Sequence, residues 1–159
     1  MKRSVYLESS LISYYSNKRS RDLVCAARQI ITQKWWQTRL KEFEGFVSPI
    51  VLEEIARGNQ AAAEKRLETA KAFVELRLSQ SALDCAEYLL RKKAVPRRYP
   101  EDALHISIAA VNGIDYLVTW NFSHINNAER KLDVERAVRE YGFEPPVICT
   151  PEELMGEMV

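Results

Sequence analysis

Several features are scarce in this chain, and each absence excludes a class of protein. The 159 residues contain three cysteines, Cys25, Cys85 and Cys149, which are far apart and show no CxxC or Cys/His spacing. This pattern excludes a disulfide framework and a typical zinc site, so we expect all three to be small core residues. No apolar run approaches the roughly 20 residues that span a bilayer, and no signal peptide is recognised. The sequence therefore predicts a cytoplasmic protein without a membrane segment.

Net charge is also small. The 23 Lys and Arg residues nearly balance the 22 Asp and Glu residues, giving +1 at pH 7. No global positive field indicates a nucleic-acid partner, so any such contact depends on local basic clusters. These clusters, which are otherwise solvated helix ends or loops, are Lys2–Arg3, Lys18–Arg21, Arg91–Lys93 and Arg97–Arg98. The length and ordinary composition predict a single domain over residues 1–159.

The chain does contain an alternation of short apolar strands and helical segments. The predicted strands are 4–7, 46–48, 73–78, 116–119 and 147–149. The predicted helices are 9–15, 20–43, 50–56, 60–72, one that Ser79 or Ser81 caps and that ends at 92, 101–111, 125–141 and 151–155. Gly45 ends the second of them. Such alternation predicts a three-layer α/β/α sandwich around a central, mostly parallel sheet of about five strands.

Acidic and amide side chains stand next to four of these elements. Glu8 follows the first strand, Glu53 and Glu54 come after the second, Asp102 opens an apolar helix, and Asn121 comes after the strand at 116–119. Groups beyond the carboxyl ends of parallel strands converge on one crevice. Three carboxylates and an amide in that crevice suggest a Mg²⁺ or Mn²⁺ site, because hard cations take oxygen ligands. Such a site indicates phosphodiester chemistry.

Each of these candidates also has a structural explanation. Glu54 near a helix start stabilises the helix dipole, and Asp102 is equally explained as an N-terminal helix acid. Glu53 points about 100° away from Glu54 around the helix, so only one of the two faces a shared site. We expect His105, on an apolar helix, to be a core histidine. His124 either contacts phosphate or a partner side chain, or stabilises its loop.

Two aromatic pairs are candidates for stacking nucleotide bases. Tyr14–Tyr15 lies near the predicted acidic site, and Trp35–Trp36 lies in the predicted long helix. Aromatic side chains stack on bases irrespective of sequence. The alternative for both pairs is packing in the core or at an interface with a protein partner or a second copy.

Together the motifs resemble those of the PIN-domain nucleases, and within them the VapC-like toxins of bacterial and archaeal toxin–antitoxin pairs. Val5–Ser10 is similar to the opening strand of the family, with an acid followed two positions later by a small hydroxyl residue. Ser48–Gly58 resembles the second motif, Asp102–Ile106 the third, and Leu117–Asn121 the fourth, a strand ending in Thr-x-Asn/Asp. The motifs occur in this order over nearly the whole chain.

The resemblance implies a PIN-like fold and a Mg²⁺- or Mn²⁺-dependent ribonuclease, the toxin of a type II toxin–antitoxin pair. Its partners would be an RNA substrate, an antitoxin protein and a second copy in a homodimer. Glu8, Glu54 and Asp102 would be metal ligands and, with Asn121, the catalytic residues. Supporting roles fall to Ser10, Glu53, Thr119 and His124.

The chain departs from the family pattern at two positions. Glu8 stands where the family usually has Asp, and Asn121 stands where the family often has another acid. The site would therefore carry three negative charges and hold one metal ion rather than two. These departures motivate an alternative function, a catalytically weak PIN-like module that binds RNA or a protein partner. A receiver-like domain or an α/β phosphatase is a third reading, disfavoured because the receiver's pair of phosphoacceptor Asp and late Lys is missing.

Overall fold

The computed structural model describes residues 1–157, and a five-stranded parallel sheet forms its centre. The strands are β1 (Arg3–Leu7), β2 (Phe43–Val47), β3 (Val74–Glu75), β4 (Tyr116–Val118) and β5 (Val147–Cys149). Their order across the sheet is β3-β2-β1-β4-β5, and every neighbouring pair is parallel. Because β1 lies in the middle, its residues Val5, Tyr6 and Leu7 are completely buried.

Seven α-helices flank the sheet in the described part of the chain. They are α1 (Ser9–Ser16), α2 (Leu23–Thr38), α3 (Pro49–Ile55), α4 (Gln60–Ala70), α5 (Gln80–Arg91), α6 (Pro100–Val111) and α7 (Ala128–Tyr141). Helix α1 contacts α2, α3 and α4, whereas α5 contacts α6 and α7. None of the helices in residues 1–157 has the length and apolarity needed to cross a membrane. The predicted α/β/α sandwich around a parallel sheet is confirmed.

Side-chain caps fix the points at which the chain turns from strand to helix. Glu8 caps α1 by accepting a hydrogen bond from the Ser10 N–H, and Ser48 caps α3 by accepting one from the Val51 N–H. Pro49 occupies the first position of α3, where its missing N–H costs no helical hydrogen bond. Since β1 and β2 are each followed at once by a capped helix, Glu8 and Ser48 are held at the carboxyl edge of the sheet.

The prediction of one long helix from 20 to 43 is wrong. Helix α2 ends at Thr38, a 3₁₀ turn covers Leu40–Glu42, and the chain then enters β2. The start of α2 is set by Asp22, whose Oδ1 accepts a hydrogen bond from the Cys25 N–H at 2.8 Å. The helical spacing of apolar residues extends past Thr38, but hydrogen bonding with β1 takes the segment around Gly45 into the sheet.

Gly45 therefore lies inside a strand instead of ending a helix. It stands opposite Val5 in the β1–β2 register, and a Cβ atom there would lie 2.5 Å from Phe73 Cδ1. The missing side chain makes room for the Phe73 ring, which packs across the sheet. The predicted strand at 73–78 is reduced to the two residues of β3, and Phe73 packs against the core instead of pairing.

The helix predicted at 125–141 also starts later than expected. The backbone N–H groups of Ile125 and Asn126 both donate to the Asn121 carbonyl, at 3.2 and 2.7 Å. These bonds close a turn rather than a helix, and α7 begins at Ala128 after the Asn127 cap. The loop from 119 to 127 is therefore longer than predicted, and it lies at the carboxyl edge of the sheet.

The three cysteines have free thiols in different environments. Cys85 and Cys149 are buried, as predicted, but Cys25 is only half-buried. It lies in the first turn of α2, where the neighbouring Leu23 and Val24 are exposed. The prediction that Cys25 is a core residue is wrong, because the helical period does not distinguish a face on the core from one left in solvent.

Candidate active site

The candidate site lies at the point where the strand order reverses. The chain passes from β1 to β2 and β3 on one side of the sheet, whereas β4 and β5 lie on the other side. In open α/β sheets the crevice at this reversal is the usual ligand site. Glu8 follows β1, Thr119 follows β4, and the Glu8 N–H donates to the Val118 carbonyl at 3.2 Å. The two strand ends are therefore joined directly beside the crevice.

Glu8 is almost completely buried and is held by donors from both strand ends. Its Oε1 accepts hydrogen bonds from Ser10 Oγ at 2.6 Å and from Thr119 Oγ1 at 2.5 Å. Its Oε2 accepts one from the Ser10 N–H at 3.2 Å. A buried carboxylate requires such donors. The structure thus places two of the sequence-predicted supporting residues, Ser10 and Thr119, against Glu8.

Glu54 enters the site from α3 and is tied to a chain of buried polar groups. Its Oε1 accepts a hydrogen bond from Ser9 Oγ at 2.8 Å and lies 2.5 Å from His105 Nε2. His105 Nδ1 lies 2.6 Å from the Tyr6 hydroxyl, which lies 2.7 Å from Ser48 Oγ. Tyr6, Ser48 and His105 are fully buried. This series of hydrogen bonds therefore runs through the interior from the cap of α3 to the crevice.

Every polar atom along this chain has a partner in either protonation state of the histidine. The Val51 N–H donates to Ser48 Oγ, which frees the Ser48 hydroxyl hydrogen for Tyr6. Tyr6 then donates to Nδ1 of a neutral His105, and Nε2–H donates to Glu54. In the imidazolium, Nδ1–H donates to Tyr6 and Tyr6 donates to Ser48. Both nitrogens of His105 are thus engaged, so this residue positions Glu54.

The electrostatics of the pair favour an ionised Glu54. Burial alone raises the pKa of Glu54, but the hydrogen bonds from His105 and Ser9 and the charges of His105 and Arg57 outweigh it and lower that pKa. Burial lowers the pKa of His105, but the hydrogen bond that His105 donates to Glu54 and the charges of Glu8, Glu54 and Asp102 more than reverse this effect and raise the pKa. Glu54 is therefore a carboxylate at neutral pH.

We expect Tyr6→Phe to lower the free energy of unfolding by about 1 to 3 kcal/mol, because it leaves His105 Nδ1 and the Ser48 hydroxyl without their buried partner. Urea denaturation measures this loss. Tyr14→Phe is the matched control, since Tyr14 packs on Trp120 and its hydroxyl has no hydrogen bond within residues 1–157. A control change within about 0.5 kcal/mol is expected. Equal effects of the two substitutions would show that the polar chain contributes nothing.

Asp102 opens α6 on the other wall of the crevice. Its Oδ1 accepts a hydrogen bond from Asn121 Nδ2 at 3.4 Å, and its Oδ2 lies 3.3 Å from His124 Nδ1. Burial raises the pKa of Asp102 to about 6, opposed by His105 and reinforced by Glu8 and Glu54 among the neighbouring acids. Asp102 is therefore part of the same electrostatic cluster as the two glutamates.

The donor atoms of the cluster suit a divalent cation. One ligand atom from each of Glu8, Glu54 and His105 lies within 4.8 Å of the others. Because His105 uses both nitrogens for hydrogen bonds, the donors left for a cation are carboxylate oxygens. Glu54 Oε2 has no hydrogen bond within residues 1–157, and Asp102 stands one turn before His105 on α6. Closely spaced carboxylate oxygens are the ligands that Mg²⁺ and Mn²⁺ prefer.

Two sets of sequence candidates do not reach the crevice. Glu53 points to solvent and pairs with Arg57 at 3.4 Å, as expected if only one of the adjacent glutamates faces the site. Trp35 is completely buried, and Trp36 stacks on Tyr15 with ring centroids 4.0 Å apart. Both tryptophans thus pack in or against the core, and the stacking role suggested for them is wrong.

The sequence predicts that His105 is a core residue and does not connect it with the site. The residue is buried, as predicted, but its Nε2 contacts Glu54. One signal was present, because His105 lies three residues after Asp102 and residues at this spacing share a helix face. Tyr6 carried no such signal, since its contact with His105 joins positions 99 residues apart.

No protein-family model and no curated protein matches this chain. Among solved structures, the chain resembles the crystal structure of VapC20 from Mycobacterium tuberculosis, a sarcin–ricin loop cleaving toxin. The TM-score is 0.58 at 16% identity, over 90% of this chain and 100% of that chain. A similarity at this level of identity establishes the fold alone. The resemblance to VapC-like PIN domains read from the sequence motifs is confirmed at the level of the fold.

Proposed function

We propose that this protein is a Mg²⁺- or Mn²⁺-dependent ribonuclease of the PIN/VapC-like type, which hydrolyses phosphodiester bonds of RNA. The observation that carries the proposal is the close approach of Glu8 and Glu54, whose ligand oxygens lie within 4.8 Å of each other and of a His105 nitrogen in the crevice where the strand order reverses. Burial and the charges of both glutamates raise the pKa of Asp102, so this acid belongs to the same electrostatic cluster. The fold shared with a sarcin–ricin loop cleaving toxin supports the substrate class.

Glu8, Glu54 and Asp102 would hold the metal ion, and each is already oriented by neighbours. Ser10 and Thr119 fix Glu8, and His105 fixes Glu54. Hydrogen bonds of this kind set the direction and basicity of ligand groups. A bound Mg²⁺ or Mn²⁺ supplies positive charge that polarises the phosphate and stabilises the charge developing in the transition state.

Glu54 and Asn121 would have different roles in the reaction. Glu54, ionised and held at Oε1, presents Oε2 to orient the attacking water; its lowered pKa makes it a weak base. Asn121 positions Asp102 through Nδ2, while its Oδ1 accepts a hydrogen bond from the His124 N–H at 3.1 Å. Both ends of the Asn121 side chain are therefore engaged within the protein, and its part in catalysis is to orient the acid.

The hydrogen bonds that occupy both ends of the Asn121 side chain also favour a second candidate function. With no fourth carboxylate at this position, the site would offer three acids to one ion, and a longer Glu8 in place of Asp would shift the ligand oxygen by roughly 1.5 Å. Displacements of about 1 Å cost about a hundredfold in rate. The alternative is thus a catalytically weak PIN-like module that binds RNA or a protein partner.

The proposed function includes further predictions about the protein in the cell. It would be the toxin of a type II pair, inhibited by an antitoxin protein, and would act on RNA in the cytoplasm. We also predict a homodimer and a single domain over residues 1–159. Size-exclusion chromatography with light scattering tests the dimer independently of any nuclease assay.

A titration of the purified protein with Mn²⁺ and Mg²⁺ tests the proposed function. We expect the melting temperature to rise with metal, because the cation relieves repulsion among the carboxylates. The same additions are expected to start cleavage of a structured RNA that contains a sarcin–ricin-type loop, and EDTA is expected to stop it. Asp102→Asn should lose both effects.

The outcomes separate the two candidate functions. Metal-dependent stabilisation with cleavage, both lost in Asp102→Asn, would support the nuclease and exclude the weak module. Stabilisation or RNA binding without any cleavage product would favour the module. If Asp102→Asn left both metal binding and cleavage unchanged, the assignment of this acid would be wrong.

A further inference from the structure

The loop after β4 and the start of α6 form an aromatic pair beside the acids. The rings of Tyr99 and His124 stack with centroids 3.6 Å apart and an interplanar angle of 25°. Three contacts attach the pair to the site. His124 Nδ1 lies 3.3 Å from Asp102 Oδ2, and the Asp102 N–H donates to the Tyr99 carbonyl at 3.2 Å. The His124 N–H donates to Asn121 Oδ1 at 3.1 Å. The contacts that hold Asp102 therefore also fix the position of the aromatic pair.

Positive charge surrounds this pair although the crevice itself is acidic. The Arg98 guanidinium lies over the Tyr99 ring at 5.1 Å from its centroid. Burial and the positive charges of Arg130 and Arg98 lower the pKa of His124. Neither arginine has a carboxylate partner within residues 1–157. Both guanidinium groups are thus free to contact another anion.

The pair is also accessible, unlike the other aromatic stack considered above. The His124 side chain is 27% exposed, and Arg98 is exposed. Trp36, by contrast, packs on Tyr15 and Phe73. A flat, partly exposed aromatic pair flanked by guanidinium groups matches the chemistry of a nucleotide, whose base stacks and whose phosphates carry the charge.

We propose that Tyr99 and His124 form a subsite that stacks one unpaired base of the substrate next to the acidic cluster, with Arg98 and Arg130 contacting the adjacent phosphates. The inference rests on the proposed function and narrows its substrate class to single-stranded or loop RNA. A base inside a duplex has both faces covered by its neighbours and presents no face to such a platform. The subsite would place the phosphate next to that base against Asp102.

A short unstructured RNA carrying one 2-aminopurine tests the subsite without relying on cleavage, because stacking on an aromatic ring quenches this base. Binding is measured by anisotropy and by quenching, with Ca²⁺ present as an oxygen-binding cation. We expect Tyr99→Leu and His124→Leu each to weaken binding by about tenfold and to abolish quenching, since stacking contributes roughly 1 to 3 kcal/mol per base. His124→Phe keeps a flat ring and should retain both.

Tyr88→Leu is the matched control. Tyr88 also has a cation above its ring, Arg91 at 5.7 Å, and an aromatic neighbour, Tyr141, but it contacts none of the acids of the site. Its substitution should leave binding and quenching unchanged. A melting temperature for each variant separates loss of folding from loss of binding.

The results distinguish failure of the subsite from failure of the nuclease. Quenching that is lost in the Leu variants and kept in His124→Phe would support the subsite even if the wild type cleaves no RNA. RNA binding with no quenching, or binding equal in all variants, would overturn it even if the wild type is an active nuclease. A wild type that binds no RNA with Ca²⁺, Mg²⁺ or Mn²⁺ would overturn it as well.

Discussion

Glu54→Gln is expected to reduce metal-dependent RNA cleavage by about a hundredfold to a thousandfold, whereas Glu53→Gln is expected to leave the rate unchanged. A ligand that stabilises transition-state charge through a metal contributes several kcal/mol, and each 1.36 kcal/mol is a factor of ten in rate. Glu54 would supply such a ligand oxygen, and Glu53 would not. The initial rate of cleavage of one end-labelled RNA at saturating Mn²⁺ measures the difference.

The two glutamates form a matched pair because one helix carries both. They are adjacent on α3, yet the side chain of Glu54 is 24% exposed and that of Glu53 is 68% exposed. Gln has nearly the same shape as Glu, and its Oε1 can still accept hydrogen bonds from Ser9 and His105. The substitution therefore removes the charge at Oε2 without breaking the contacts that position the side chain.

Direct measurement of Mn²⁺ affinity, by calorimetry or by the electron paramagnetic resonance signal of free Mn²⁺, accompanies the kinetics. We expect at least a tenfold weaker affinity for Glu54→Gln and no change for Glu53→Gln. Parallel losses of rate in the two variants would contradict the assignment, because a general effect of charge would then explain them. Loss of rate with unchanged affinity would limit Glu54 to orienting the water.

The sequence predicted the architecture well because its signals are local. Short apolar strands alternate with helical segments, and this alternation alone indicates helices packed on a parallel sheet. The predictions that are wrong lie where contacts between distant parts of the chain override the local pattern. The sequence indicates a helix up to residue 43 that Gly45 ends, but pairing with β1 and the space needed by Phe73 place Gly45 inside a strand. Neither influence can be read from a window of neighbouring residues.

In the candidate site, too, some residues could be predicted from the sequence and others could not. The acids could be found because each stands at the end of a predicted strand or the start of a predicted helix, where the topology of a parallel sheet brings residues together. The family motifs also indicate Ser10 and Thr119, which contact Glu8. The buried support of Glu54 could not be predicted, since the contact between Tyr6 and His105 depends on side-chain directions in the folded interior. His124 was singled out by its place near Asn121, but its partner Tyr99 was not.

Asp102→Asn is expected to make the metal-free protein more stable at neutral pH, although it removes a residue of the site. The pKa of Asp102 is about 6 in the folded protein against 3.8 for the free side chain, and that difference corresponds to at most about 3 kcal/mol. Because the folded state holds this proton more tightly than the unfolded state, Asp102 favours folding below about pH 4. Its contribution falls as the pH rises toward 6 and is lost above that value.

The gain from the substitution should therefore depend on pH and reverse with metal. In EDTA, urea denaturation should show Asp102→Asn more stable than the wild type by about 2 kcal/mol at pH 8, with the difference shrinking toward pH 4. With Mn²⁺ the wild type binds the cation and gains stability that the variant lacks, so the order of the two proteins is expected to invert. A variant less stable than the wild type at every pH in EDTA would mean that hydrogen bonds from Asn121 and His124, rather than repulsion, dominate at Asp102. An inversion would show that the protein keeps a carboxylate here at the expense of folding, which is the expected property of a residue retained for binding a cation.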